Sequence, residues 1–375
     1  FGKNIKLTET NSMFYNTAIK TIDLHNWNMA YVTQAQAMFA YSAVEEINAS
    51  GWNWNSITNL SNLGGLFASG SLEKLNINNW TMSGISGEMT NFKSLLNSNV
   101  EYISMDHFSA PNITQIANLT INLSNLKTIS FRYPNLPNLR SAAKMFDACR
   151  ADRIDLEGFD TSLITDMSSM FRNCNNLKVL DISGFDTENV SIMAEMFRGC
   201  SSLTTLNTSS LQTSNVTIMA SMFAGCSSLT KLDLSNLDTS KVTNMDSMLS
   251  NCISLTELNV EGWDTSNVTS MPYLLANDTA LYRLKLGKDF VFCTGDKAGK
   301  ALPYETWRNM ESNQTVSLLN EYDGATMAGT YTPEDYSVKL DTSNISYLEY
   351  DEENQKVTAY LQSSYGNHPV TVKTV

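Results

Sequence analysis

Cys226-Ser227-Ser228-Leu229-Thr230-Lys231-Leu232-Asp233-Leu234-Ser235-Asn236-Leu237-Asp238-Thr239-Ser240-Lys241-Val242-Thr243-Asn244-Met245 opens one copy of a block that recurs every 26 residues. Its Asp-Thr pair steps through Asp160-Thr161, Asp186-Thr187, Gln212-Thr213, Asp238-Thr239 and Asp264-Thr265. Met170-Phe171, Met196-Phe197, Met222-Phe223 and Met248-Leu249 keep the same interval, as do Cys174, Cys200, Cys226 and Cys252. A fixed period of this size marks a solenoid, in which each unit buries its apolar face only against its neighbours.

Working outward, an apolar marker extends the register to the N-terminal region: Ile22, Ile47, Leu75, Ile103, Ile129, Ile154, Leu180, Leu206, Leu232, Leu258 and Leu284. These define eleven units, irregular over 13–144 and regular over 145–290. Around each marker, as in Leu180-Asp181-Ile182-Ser183, apolar and polar residues alternate with the period of a half-buried strand. Eleven stacked strands would give one parallel sheet roughly 50 Å long at about 4.8 Å per strand. After the Asp-Thr turn, Thr165, Ser191, Thr217, Thr243 and Thr269 suit the N-cap of a short helix, with Met167, Met170 and Phe171 on one face. The expected fold is therefore an α/β solenoid: a leucine-rich-repeat-like, right-handed array of strand, turn and short helix. It occupies residues 1–290, with a capping segment at 291–335. Alternation in Tyr336–Leu340, Lys356–Leu361 and Val370–Val372 points to a small β appendage, or the start of a further β domain, at 336–375.

Composition narrows the function classes. A net charge of −13 from 38 acidic and 25 basic residues argues against nucleic acid, whose phosphates need clustered Lys and Arg, and against anionic lipid. No apolar run reaches the length of a membrane span. There is no Gly-x-Ser-x-Gly elbow, phosphate-binding glycine loop or His-Glu-x-x-His, so the expectation is a non-enzyme with no cofactor and no metal.

The pattern Cys-x-x-Leu-x-x-Leu-x-Leu-Ser-x-Phe-Asp-Thr-Ser-x-Val-Thr-x-Met-x-x-Met-Phe, strongest over 145–287, resembles the BspA-like leucine-rich repeat of bacterial surface proteins. Tyr322-Asp323-Gly324-Ala325-Thr326-Met327-Ala328-Gly329-Thr330-Tyr331 resembles a segment that follows such arrays in Gram-positive surface proteins. The resemblance implies an extracellular or cell-wall-attached protein that adheres to a host extracellular protein or glycoprotein, or to another cell surface. No secretion signal and no wall-sorting motif is visible in these residues. The alternative is a structural spacer that displays another domain away from the cell.

Several ladders have ordinary readings. Cysteines at a 25- or 26-residue step stack as small apolar filler, although a disulfide remains open; close metal-ligating pairs are lacking. The aspartates of the Asp-Thr turns bond their own backbone or, as the second reading, hold calcium. The Met-Phe pairs belong to the core. Outward strand residues form the candidate binding face. On it, Tyr102, Arg132 and Arg153 are of the types that dominate binding energy, flanked by the polar row Asp155, Asp181, Asn207 and Asp233.

Overall fold

The structure, a computed structural model, describes residues 6–90, 92–96, 99–120, 123–293, 301–333, 345–351, 356–363 and 366–372. In the first half of the array the strands are β1 (Thr21–Asp23), β2 (Glu46–Asn48), β3 (Lys74–Asn76), β4 (Gly87–Thr90), β5 (Tyr102–Ser104), β6 (Ile113–Ala117), β7 (Thr128–Ser130) and β8 (Arg153–Asp155). Six of them form a parallel sheet in the order β1-β2-β3-β5-β7-β8, while β4 and β6 pair on another side of the coil. Marker pairs with marker throughout: Ile22 with Ile47, then Leu75, Ile103, Ile129 and Ile154. The irregular units are thus in phase with the regular ones, as the sequence register requires.

A second six-stranded sheet contains β9 (Lys231–Asp233), β10 (Glu257–Val260) and β11 (Arg283–Leu286), followed by β12 (Trp307–Asn309) and β13 (Thr315–Val316). Two four-residue helices come next, α1 (Leu318–Glu321) and α2 (Gly324–Met327), then β14 (Gly329–Pro333). β9, β10 and β11 are parallel, but β14 runs antiparallel to β11 and to β12. An antiparallel strand ends the stack, burying Trp307 and Tyr331 beside the last coil. A second compact unit, Asp335–Val375, holds a separate antiparallel meander of β15 (Ile345–Asp351), β16 (Lys356–Ser363) and β17 (Gly366–Val372). The strand expected over Tyr336–Leu340 lies outside the described residues.

Three expectations need correction. The array is a β-solenoid of about ten coils, with almost no helix. Its strand face is not one sheet but is interrupted between β8 and β9. There Val179 makes a single bridge to Arg153, and the unit of Leu206 makes none. At the position of Ile182 and Leu234 this unit has Thr208, whose hydroxyl, rather than a strand, takes the carbonyl of Asp233 at 2.9 Å.

The expected helices are replaced by a zigzag of turns. Met167, Ser169, Phe171 and Asn173 donate their N–H groups to Ile192, Ala194, Met196 and Arg198 of the next coil, at 2.6–3.0 Å. The intervening Met170, Arg172 and Cys174 donate three residues back within the coil. Ser169 and Asn173 sit at φ 56° and 59°, and Glu195, Ser221 and Ser247 repeat the first of these columns. A left-handed residue every fourth position breaks any α-helix and turns alternate N–H groups outward to the neighbouring coil. The same register produces an outer ladder of bridges from Gln115 through Ser141, Asp166, Ile192, Ile218 and Asn244 to Ser270.

Inside, the columns are homogeneous. Phe146, Phe171, Phe197 and Phe223 stack with centroids 5.5–5.8 Å apart. Cys149, Cys174, Cys200, Cys226 and Cys252 are buried free thiols. Four of them, from Cys174 on, donate to the carbonyl of a Phe in the preceding coil at 3.1–3.3 Å. Burial pushes the Cys149 thiol up to about 12, and it pushes the thiols of Cys174, Cys226 and Cys252 up as well. Thr161, Thr187, Thr213, Thr239 and Thr265 form a buried hydroxyl ladder. The Thr187 hydroxyl donates to Gln212 O at 2.9 Å and accepts Gln212 N–H at 2.7 Å.

One position departs from the thiol column. Asp278, 26 residues after Cys252, has no exposed surface. Its Oδ1 accepts the Cys252 N–H at 2.7 Å, while Oδ2 has no partner. Burial pushes its carboxyl up to about 8, against which the single Cys252 N–H is a minor opposing effect.

Two substitutions test these columns. Thr187→Val keeps the shape but leaves both main-chain groups of Gln212 unpaired; the urea midpoint should fall by the equivalent of about 2–4 kcal/mol. An unfolded Asp ionises near 3.9, whereas folded Asp278 holds its proton to about 8. The unfolded state therefore releases a proton first, and Asp278 lowers stability progressively as pH rises from about 4 to about 8. Urea titrations across that range should show Asp278→Asn flattening this decline and raising stability at pH 8; an unchanged slope would contradict the buried acid.

Candidate binding face

Along the strand face, the three-residue strands from β2 to β9 bury their middle residue and turn the first and third outward, as in Lys74-Leu75-Asn76. The third position caps the turn that follows. Asp23, Asn48, Asn76, Asp155, Asp181, Asn207, Asp233 and Asn259 each accept the N–H two residues on. An Asx turn is the physical reason that this column is Asp or Asn. For Asp181 and Asp233 the hydrogen bonds from Ser183 and Ser235 hold the carboxyls below the usual carboxylate range.

Two units break the column with Ser104 and Ser130, and the preceding coil compensates. Asn78 Oδ1 accepts from Ser104 Oγ and from Asp106 N–H, both at 2.7 Å. One coil further on, Asp106 Oδ1 accepts from Ser130 Oγ at 2.6 Å and from Arg132 N–H at 3.0 Å. Its Oδ2 takes Arg132 Nε at 3.0 Å and Nη2 at 2.5 Å. Burial pushes the Asp106 carboxyl up, but the Arg132 and Ser130 hydrogen bonds outweigh it and hold the group below the usual range.

The first strand position carries coil-to-coil ion pairs: Lys74 with Glu46, and Lys231 with Glu257 at 2.9 Å. One residue earlier, Lys127 pairs with Glu101 at 2.7 Å and lies 5.8 Å from the Tyr102 ring centroid. Lys178 pairs with Asp152 at 2.9 Å. Exposed pairs of this kind contribute little stability but occupy much of the face's charge.

Three concavities follow the face. The first, about 570 Å³, lies across β1, β2, β3, β5 and β7 and includes Tyr102. The second, about 350 Å³, lies where the sheet is interrupted and includes Arg153, Asp155 and Asp181. The third, about 450 Å³, crosses β9, β10 and β11 and includes Asp233. The sequence-derived site residues are thus divided among separate hollows, and Arg132 and Asn207 line none of the three. The sequence register sets Asn78 and Asp106 among the outward residues of the face but does not give their capping role, and Asp106 is buried. Their signal was present: Ser appears where other units have Asp or Asn, and an Asn or Asp sits three residues after the marker of the preceding unit.

The Asp-Thr turn aspartates serve the backbone as well. Asp160, Asp186, Asp238 and Asp264 accept the N–H of Ser162, Glu188, Ser240 and Ser266 at 3.0–3.1 Å. Among the described residues no three His, Cys, Asp or Glu groups stand close enough to hold a metal ion, and no helix is long and apolar enough to cross a membrane.

Arg132 is therefore a structural residue in the first instance. Arg132→Ala should lower the melting temperature measurably, because it strips a charged partner from the largely buried Asp106. Arg153, exposed and 3.3 Å from Asp155, should tolerate Ala within about 0.5 kcal/mol. Equal melting temperatures for the two variants would refute the distinction.

Comparison with known families gives a match at residues 3–127, 140–251 and 204–287 to the family described as "Mycoplasma protein of unknown function, DUF285". No curated protein matches the chain. The matched segments take in well over half of the sequence and coincide with the repeating coils, and the chain belongs to the DUF285 family.

Proposed function

We propose that this protein is a non-catalytic binding module, of the BspA-like surface type, which engages a macromolecule of a host or of a neighbouring cell. Contact is made through the strand face, at an extracellular or cell-wall location. The supporting observation is the series of concavities on that face. It contrasts with the interior, where aromatic, thiol and hydroxyl columns are consumed by coil-to-coil packing. Tyr102, 41% exposed in the largest of the three hollows, is a large amphipathic side chain suited to anchoring a partner.

A second reading, the structural spacer, draws support from the self-pairing of the face. Most of its third-position residues are committed to Asx turns and many of its charges to ion pairs, which leaves fewer groups for a ligand. The two readings separate in a binding screen of the purified chain against matrix proteins, mucins and immobilised glycans. The binding reading expects a saturable hit that weakens at least about tenfold in Tyr102→Ala or in a second variant on the strand face, with the melting temperature unchanged. Absence of any saturable hit supports the spacer instead.

A further inference from the structure

The interruption of the sheet leaves main-chain rungs unmade from the sixth coil to the eighth, and a cavity opens at the first of these seams. In each of the first five coils, two rungs extend the ladder beyond the strands. One series runs from Leu24 N–H to Asn48 O through to Phe131 N–H to Asp155 O. The other runs from Asn26 N–H to Ser50 O through to Tyr133 N–H to Glu157 O. In the same register the sixth coil should offer Leu156 N–H to Asp181 O and Gly158 N–H to Ser183 O. Neither rung is made among the described residues. The cavity of about 350 Å³ opens at this place, and Leu156, Gly158, Asp181 and Ser183 all line it.

One lip of the cavity thus carries two main-chain donors two residues apart, and the other carries two main-chain acceptors at the same interval. That is the hydrogen-bonding period of an extended polypeptide. The charged lining is acidic in sum, with Asp155, Glu157 and Asp181 against Arg153. Val179, 60% exposed at the same cavity, adds an apolar contact.

We propose that this seam between the sixth and seventh coils docks a short extended segment of a partner polypeptide bearing Lys or Arg. Its carbonyls accept from Leu156 and Gly158, and its N–H groups donate to Asp181 and Ser183. The proposal rests on the binding-face reading above and gives that face a ligand class.

Gly184 provides the test. It lines the cavity, and a Cβ built there meets nothing within 4 Å, so Gly184→Leu fills the hollow without straining the coil. The probe is the blocked peptide acetyl-Val-Lys-Val-Lys-Val-amide, compared with its backbone N-methylated analogue. In the free protein, the amides of Leu156 and Gly158 should exchange hydrogen at least about tenfold faster than those of Phe131 and Tyr133, which sit in completed rungs. Saturating peptide should slow Leu156 and Gly158 selectively. N-methylation and Gly184→Leu should each weaken binding at least about tenfold, with an unchanged melting temperature.

Slow exchange of Leu156 and Gly158 in the free protein would overturn the proposal, as would peptide binding that survives Gly184→Leu. The same holds if the peptide fails to bind. These failures leave the wider reading intact wherever a macromolecular hit still depends on Tyr102. Loss of that hit as well would remove the binding face itself.

Discussion

Everything in the array depends on where alternate main-chain N–H groups point. In the stretch from Met167 to Cys174, one N–H closes a tight turn inside the coil and the next donates to the coil ahead. Buried main-chain groups must find partners, and this division satisfies them without a helix or a long strand. It requires left-handed residues at Ser169 and Asn173 and their repeats. For a serine or glutamate that conformation costs roughly 1 kcal/mol, offset here by a rung to the next coil. The aromatic, thiol and hydroxyl columns follow from it, because a coil bonded to its neighbour at a fixed register must superimpose like on like.

Side chains that read as surface chemistry are largely drawn into the same accounting. Asp and Asn at the strand ends satisfy turn N–H groups, and threonine hydroxyls reach across to the next coil. Asn189, Asn215 and Asn267 each donate to a carbonyl one coil back at 2.7–2.9 Å, which accounts for the recurring Asn at that position. Polar residues are abundant because the backbone uses them. Groups that this accounting leaves unused occur where the pattern lapses, as at the interruption after β8.

Much of this was legible in the sequence. The marker leucines and isoleucines predicted the pairing of the parallel strands on the strand face, β1-β2-β3-β5-β7-β8 and β9-β10-β11, because a parallel stack has one register and a one-residue slip would expose the core. The helices were misread because Met167, Met170 and Phe171 have a spacing that fits both a helix and a row of tight turns. The decisive clue lay in the column Asn173, Gly199, Gly225, Asn251 and Asn277, which contains only the two residue types that most readily adopt left-handed φ. The structural role of Arg132 was hidden for another reason. Its partner Asp106 lies one coil away, and nothing in the local sequence says that this carboxylate is buried.

The orientation of the rungs also has a mechanical consequence. Coil-to-coil hydrogen bonds lie along the axis of stacking, so a force that pulls along that axis loads them in line, and the coils separate singly, in succession. Each release would free about 26 residues, or roughly 90 Å of extended chain. An array held this way yields in uniform steps and lengthens greatly before its last coil opens, behaving as an extensible tether rather than a brittle rod.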